Sequence, residues 1–216
     1  MTLSIDLFWS FRSPYSYLAT PRLCAMAAEY DLDVKVRPVY PLAVRSGAFF
    51  SQVNPLWVGY LMRDTLRIAQ MLELPYRWPR PDPVVIDRET RAGVAEQPYI
   101  HRLTRLGCAA AEAGRGLHFL KEVSHTIWSG TVDGWNEGDH LAQAASRAGC
   151  DLAALDATIA AAPERYEAII QENQAAHQAC GHWGVPTMAF EGEPFFGQDR
   201  LDVLLWRLKQ KGLQAR

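Results

Sequence analysis

A run of strand formers, Ser4-Ile5-Asp6-Leu7-Phe8-Trp9, leads within four residues to Ser13-Pro14 and a long helical pattern. No other feature constrains the fold as much. A serine hydroxyl caps a helix by accepting from a free backbone N–H of the first turn. Proline suits the first helical position, where no N–H partner is needed. Residues 3–9 therefore read as a buried strand, and a helix follows from Pro14 to about Tyr30, bent near Pro21, whose ring removes one internal hydrogen bond. Asp33 to Tyr40, with Val34, Val36 and Val39, predicts a second strand. Strand, helix and strand with a short return form a βαβ unit with parallel strands.

The middle of the chain is helical in pattern. Helices are predicted over Pro55–Leu72, Tyr99–Ala113, Leu117–Trp128, Glu137–Ala148, Asp151–Ala161 and Pro163–Cys180, with a proline-rich connector from Pro75 to Pro83. The last of these helices carries Pro163 in its first turn and Gly181 just past its end. Strands return at Thr187–Phe190 and Glu193–Phe196, with Glu191-Gly192 as a hairpin turn. A final helix begins at Asp199, has Leu201, Leu204, Leu205 and Leu208 on one face, and ends near Gly212. The order is β-α-β, a helical stretch, then β-β-α. It fits an α/β thioredoxin-like fold with an all-helical subdomain inserted in the middle. Residues 1–42 and 183–216 would form the first part, and 43–182 the insertion.

Composition narrows the class. In 216 residues, 49% are hydrophobic and 21% charged, which suits a soluble globular protein. A net charge of −2 gives no electrostatic case for nucleic acid or an anionic membrane, and no apolar run has the length of a transmembrane helix. The N-terminal residues lack a basic segment and reach Asp6 at once, so a cytoplasmic location is expected. Cys24, Cys108, Cys150 and Cys180 are dispersed, without a CxxC pair or zinc-ligand spacing, and read as reduced thiols. His177, Cys180 and His182 admit a metal-site reading, set against surface or capping roles. The latter is preferred, and no metal is expected.

Three segments should converge in this topology. At Ser13, helix N–H groups and the helix dipole favour negative charge, and a thiolate there would be stabilised. The turn offers no cysteine, so such a thiolate would have to arrive with a ligand. At Gly184-Val185-Pro186-Thr187, a cis Val185–Pro186 bond would turn the Val185 backbone outward, ready to hold an extended peptide-like ligand. At Phe196-Gly197-Gln198-Asp199-Arg200, a helix start suits an α-carboxylate and Asp199 an ammonium. Taken singly, each has a plain structural alternative. Ser13 and Asp199 can be caps only, and Pro186 can be trans at a strand start.

Ser13-Pro14-Tyr15-Ser16-Tyr17-Leu18-Ala19, Gly184-Val185-Pro186-Thr187 and Gly197-Gln198-Asp199-Arg200-Leu201 resemble the signatures of 2-hydroxychromene-2-carboxylate isomerases. These group with kappa-class glutathione transferases and share the fold of periplasmic disulfide oxidoreductases. The resemblance runs over nearly the whole chain, through Tyr60-Leu61-Met62-Arg63-Asp64, Trp128 and Glu164-Arg165-Tyr166. It implies glutathione as cofactor, with Ser13 as the catalytic residue at its sulfur and Pro14 and Tyr15 beside it. It also implies Val185 and Pro186 at the cysteinyl backbone, Gln198 and Asp199 at the γ-glutamyl end, and Asn54 as a further contact. Trp57-Val58-Gly59 stands where the family usually carries a basic residue, and Val44–Val53 matches the family poorly.

The activity implied is glutathione-dependent interconversion of 2-hydroxychromene-2-carboxylate with trans-o-hydroxybenzylidenepyruvate-type intermediates. The partners implied are a small aromatic substrate and, as relatives often pair, a second copy in a homodimer. Phe11, Tyr15, Trp57 and Tyr60 are candidates for a flat aromatic pocket, or for ordinary packing. Two other readings stand beside the isomerase: a kappa-like transferase conjugating electrophiles, and a non-catalytic glutathione- or peptide-binding module. A disulfide oxidoreductase needs a redox cysteine in Ser13-Pro14-Tyr15-Ser16, which has none.

Overall fold

The computed structural model describes residues 2–46, 49–87, 89 and 93–216. Positions 1, 47, 48, 88 and 90–92, which fall in the two expected domains and in part within Val44–Val53, lie outside the described residues. The chain begins with β1 (Leu3–Trp9), α1 (Pro14–Glu29) and β2 (Leu32–Pro38). Helices then run from α2 (Leu42–Arg45), α3 (Phe49–Gln52) and α4 (Pro55–Met71) to α5 (Ile100–Glu112) and α6 (Gly116–Trp128). They continue through α7 (His140–Arg147), α8 (Leu152–Ala161) and α9 (Pro163–Ala179). β3 (Thr187–Phe190), β4 (Glu193–Phe196), a 3-10 turn over Gln198–Arg200 and α10 (Leu201–Gln210) complete it.

The four strands lie in the order β2-β1-β3-β4. β1 pairs parallel with β2 and antiparallel with β3, and β3 pairs antiparallel with β4. β1 is an inner strand whose second half is covered on both faces, so Leu7, Phe8 and Trp9 are all apolar and all buried, while Asp6 stays half-buried and pairs with Arg37. This is the thioredoxin-like arrangement expected from the element order. The C-terminal hairpin turns at Glu191-Gly192 as anticipated, with positive φ at both residues.

Two expectations need correction. The two four-residue helices α2 and α3 are absent from the sequence reading, because so short a segment shows no hydrophobic period. The last helix does not start as an α-helix at Asp199; a tighter 3-10 turn over Gln198–Arg200 precedes α10. Helix α1 continues through Pro21 to Glu29. Its first turns are held to the sheet by the Trp9 indole, which donates to Thr20 Oγ1 at 3.0 Å and to the Ser16 carbonyl at 3.2 Å.

The main apolar core draws on the whole length of the chain, and a smaller cluster of Phe8, Val39 and Ala189 stands apart from it. The main core joins Ile5, Leu7 and Trp9 of β1 and Leu18 of α1 to Phe119, Leu120 and Trp128 of α6. The Trp128 indole donates to the Phe11 carbonyl at 2.9 Å, so the helical segment grips the loop that leads into Ser13.

Candidate functional site

Ser13 is the cap of α1. Its Oγ accepts from Ser16 N at 3.2 Å, and its hydroxyl donates to the Val185 carbonyl at 3.1 Å. The two residues are 172 apart in sequence, and their contact brings the first helix N-terminus against the Val185–Pro186 bond, which is cis. The third segment is tied to the second through Gly197 N, which donates to the Pro186 carbonyl at 2.9 Å. It is tied to the first through Arg22 of α1, whose Nη1 donates to the Gln198 carbonyl at 3.0 Å. The three segments singled out in the sequence therefore meet.

Two glycines permit this approach. At Gly184 an added Cβ would stand 2.4 Å from the Phe196 ring, so any side chain would drive the loop away from β4. Gly197 has φ 104°, a conformation that L-residues rarely adopt, and it turns the chain into the 3-10 segment. Just beyond it, Gln198 is buried, and its Oε1 has no hydrogen-bond partner among the described residues. A buried acceptor left alone costs free energy of about 1–3 kcal/mol, which a donor such as an ammonium would recover.

A DSBA-like thioredoxin domain model matches residues 4–209. The chain belongs to that family. This DSBA-like chain is 28% identical over 212 residues to a 2-hydroxychromene-2-carboxylate isomerase from Sphingobium xenophagum, covering 94% of this chain and 97% of that one. It is 23% identical to the glutathione S-transferase kappa 1 of Rattus norvegicus, covering 96% and 91%. Among solved structures, a 2-hydroxychromene-2-carboxylate isomerase superposes with a TM-score of 0.71 at 24% identity, covering 96% of this chain and 95% of that one.

The remaining sequence candidates of this DSBA-like domain fall in different places. Pro14 is buried in the first turn of α1. The half-buried Tyr15 donates to Asp64 Oδ2 at 2.8 Å; burial first, and then Asp64, push its phenol pKa upward, so it remains protonated. Asn54 is exposed and caps its own helix, accepting from Leu56 N at 3.0 Å, and no contact among the described residues links it to Ser13 or Val185. Asp199 is exposed and pairs with Arg200 at 2.8 Å. Tyr60 is exposed and reaches Asp64 at 3.3 Å, while Trp57 meets Phe49 edge-on. Phe11 is not part of a pocket: it is fully buried between Trp9 and Phe119 as core.

His177 is likewise neither at the surface nor a cap. It is fully buried, stacked on Phe8 at 4.6 Å, and neither ring nitrogen has a partner among the described residues. Burial, with Arg45 and His182 adding to it, lowers its pKa to about 3, so the ring is neutral. Its neighbours do not form a metal site: Cys180 donates to the His177 carbonyl, and His182 Nδ1 accepts from Gly184 N at 2.9 Å. Among the described residues no group of three or more His, Cys, Asp or Glu side chains is placed to hold a metal ion.

Sequence reasoning missed the supports of the Ser13 loop. Arg12 makes a two-pronged pair with Asp82, at 2.9 and 3.0 Å, and Asp82 also accepts from the Trp78 indole and from Val84 N. The connector of residues 75–83 stands out in the sequence by its prolines, but nothing in it names Arg12 as the partner of Asp82.

Proposed function

We propose that this chain is a glutathione-dependent isomerase acting on aromatic ring-opened pyruvates of the 2-hydroxychromene-2-carboxylate type. The observation that carries the reading is the Ser13 hydroxyl at the N-terminus of α1, 3.1 Å from the carbonyl that precedes cis Pro186. The surroundings suit glutathione: a hydroxyl donor at a positive helix end, the half-buried Val185 before the cis-proline, and the buried Gln198 Oε1, unpaired among the described residues, next to Asp199. The names of the relatives, an isomerase and a glutathione transferase, point the same way.

When bound, glutathione supplies a sulfur nucleophile that adds reversibly to an electron-poor conjugated carbon and so frees a double bond to rotate. Ser13 serves this by redirecting its hydroxyl hydrogen from the Val185 carbonyl to the sulfur, while its oxygen goes on accepting from Ser16 N. A hydrogen bond to a charged group contributes about 1.5–3 kcal/mol, and the helix end adds about 0.3–1 kcal/mol. Together these hold a thiol whose ordinary pKa is about 8.5 substantially ionised near neutral pH. Val185 supplies the backbone edge that aligns the peptide. Gln198 and Asp199 take its α-ammonium.

The test is turnover of 2-hydroxychromene-2-carboxylate with and without glutathione. Turnover only with glutathione, and without its consumption, is expected; equal rates in both conditions reject the reading. The kappa-class relative favours one second reading, a transferase. Stoichiometric loss of glutathione into an adduct would establish it in place of the isomerase.

A further inference from the structure

Arg45, at the end of α2, is a half-buried cation that meets no carboxylate among the described residues. Its Nη2 donates to the Trp183 carbonyl at 2.6 Å, and its Nε is buried without a hydrogen-bond partner among the described residues. No carboxylate pairs with it among those residues, unlike Arg12, Arg22 or Arg37, each of which meets an aspartate within 3 Å. Burial alone, unrelieved by any acid, pushes its pKa down to about 10. A desolvated cation in this condition is stabilised by an anion brought from outside.

The space for one is present. Arg45 lines a cavity of about 310 Å³ together with Phe49, Trp183, Gln174 and Gln178. Phe49 and Trp183 lie 5.4 Å apart and form an apolar wall, and Trp183 is about half exposed. Gln174 Oε1 is committed to Tyr40 N at 3.3 Å, so the group it can turn to a ligand is its amide nitrogen, a donor. Cation, neutral donor and aromatic wall together suit a carboxylate on a compact body.

Its place in the chain gives this cavity a role. The turn at Gln198 is bonded to Pro186, Ser13 is bonded to Val185, and Arg45 is bonded to Trp183. In sequence Trp183 stands two residues before Val185, and its neighbour His182 stacks on Phe196, which leads into the turn at Gln198. One short segment, residues 183–185, thus joins the Arg45 cavity to the carbonyl that Ser13 bonds.

We propose that Arg45, Phe49 and Trp183 form a carboxylate-binding subsite beside the segment that leads to Val185. It takes either the terminal carboxylate of glutathione or that of an aromatic acid; its part in turnover rests on the glutathione reading above. Calorimetric titration with two matched pairs separates the sources: glutathione against its glycine ethyl ester, and trans-cinnamate against cinnamamide. In one pair the carboxylate form should bind at least tenfold more tightly than its neutral counterpart. Arg45→Met should erase that preference, and Arg45→Lys should keep part of it. Circular dichroism melts show whether each variant is folded; should the methionine variant not fold, Arg45→Gln takes its place in the same titrations. The pair that responds names the source. No preference in wild type for either pair, or a preference that survives in the uncharged variant, overturns the subsite. The two readings fail separately. Glutathione-dependent turnover without any carboxylate preference defeats only the subsite, whereas an Arg45-dependent preference with glutathione-independent turnover defeats only the isomerase reading.

Discussion

Ser13 uses its hydroxyl in two directions, accepting from Ser16 N while donating to the Val185 carbonyl. Only the donated hydrogen is needed by a charged sulfur. Replacing Ser13 with alanine removes it, and a loss of about 1.5–3 kcal/mol corresponds to roughly 10- to 150-fold in turnover with glutathione. Ser13→Cys retains part of the rate, since a thiol is a weaker donor. An alanine variant as fast as wild type would remove Ser13 from the chemistry. His177 makes a different prediction, one of stability. Its folded pKa, about 3, lies below the ordinary histidine value near 6.5. Between these values the unfolded chain binds the extra proton, so stability rises with pH through this window and is lost as pH falls below about 6.5. The urea midpoint should drop from pH 7 to pH 5, where carboxylates remain largely ionised. His177→Phe keeps the stack on Phe8 and should flatten that drop. An unchanged pH dependence in the variant would place the sensitivity elsewhere.

Elements hold the site in register, and the loop from Ser10 to Ser13 depends on the connector between α4 and α5. Arg12 and Asp82 lie 70 residues apart, and their side chains are largely withdrawn from water. Asp82→Ala removes the two bonds that Asp82 makes to Arg12 and takes from the Trp78 indole and Val84 N the acceptor they share. The expected cost is about 1.5–3 kcal/mol of stability, measured by urea unfolding, with turnover falling further than the folded fraction does. Turnover that tracks the folded fraction would show that the pair stabilises without positioning Ser13. This pair also marks how far the sequence can be read. β1, α1, β3, β4 and the longer helices announce themselves through local signals: period, Ser13-Pro14, Pro163 and Gly181. The convergence of Ser13 with Val185 followed from topology once those elements were in order. What stayed hidden was long-range. Nothing near Asp82 in sequence names Arg12, and nothing near Arg45 names Trp183. Phe11 stays open between pocket and packing in the sequence for the same reason: its position beside Ser13 says nothing of Phe119, against which it packs.

For the molecule as a whole, the question is whether the expected helical insertion behaves as a unit of its own. In sequence it is separate, since residues 43–182 interrupt two halves of a sheet. In space its apolar residues and most of those of the sheet belong to one core. Phe119 of α6 meets Phe11 edge-on at 6.3 Å, and Trp128 of the same helix bonds the Phe11 carbonyl. Removing α6 from the sheet would expose Trp9 and Phe11 along with Phe119, Leu120 and Trp128. Two parts joined through their largest side chains gain little by unfolding apart. Denaturation should therefore follow one transition, superimposable by tryptophan fluorescence and far-ultraviolet circular dichroism. Phe119→Ala should lower the midpoint seen by both probes together, at a cost of about 3–5 kcal/mol. If the helical signal instead outlasts the tryptophan signal, the insertion stands alone, and the grip of α6 on the Ser13 loop is a contact between domains.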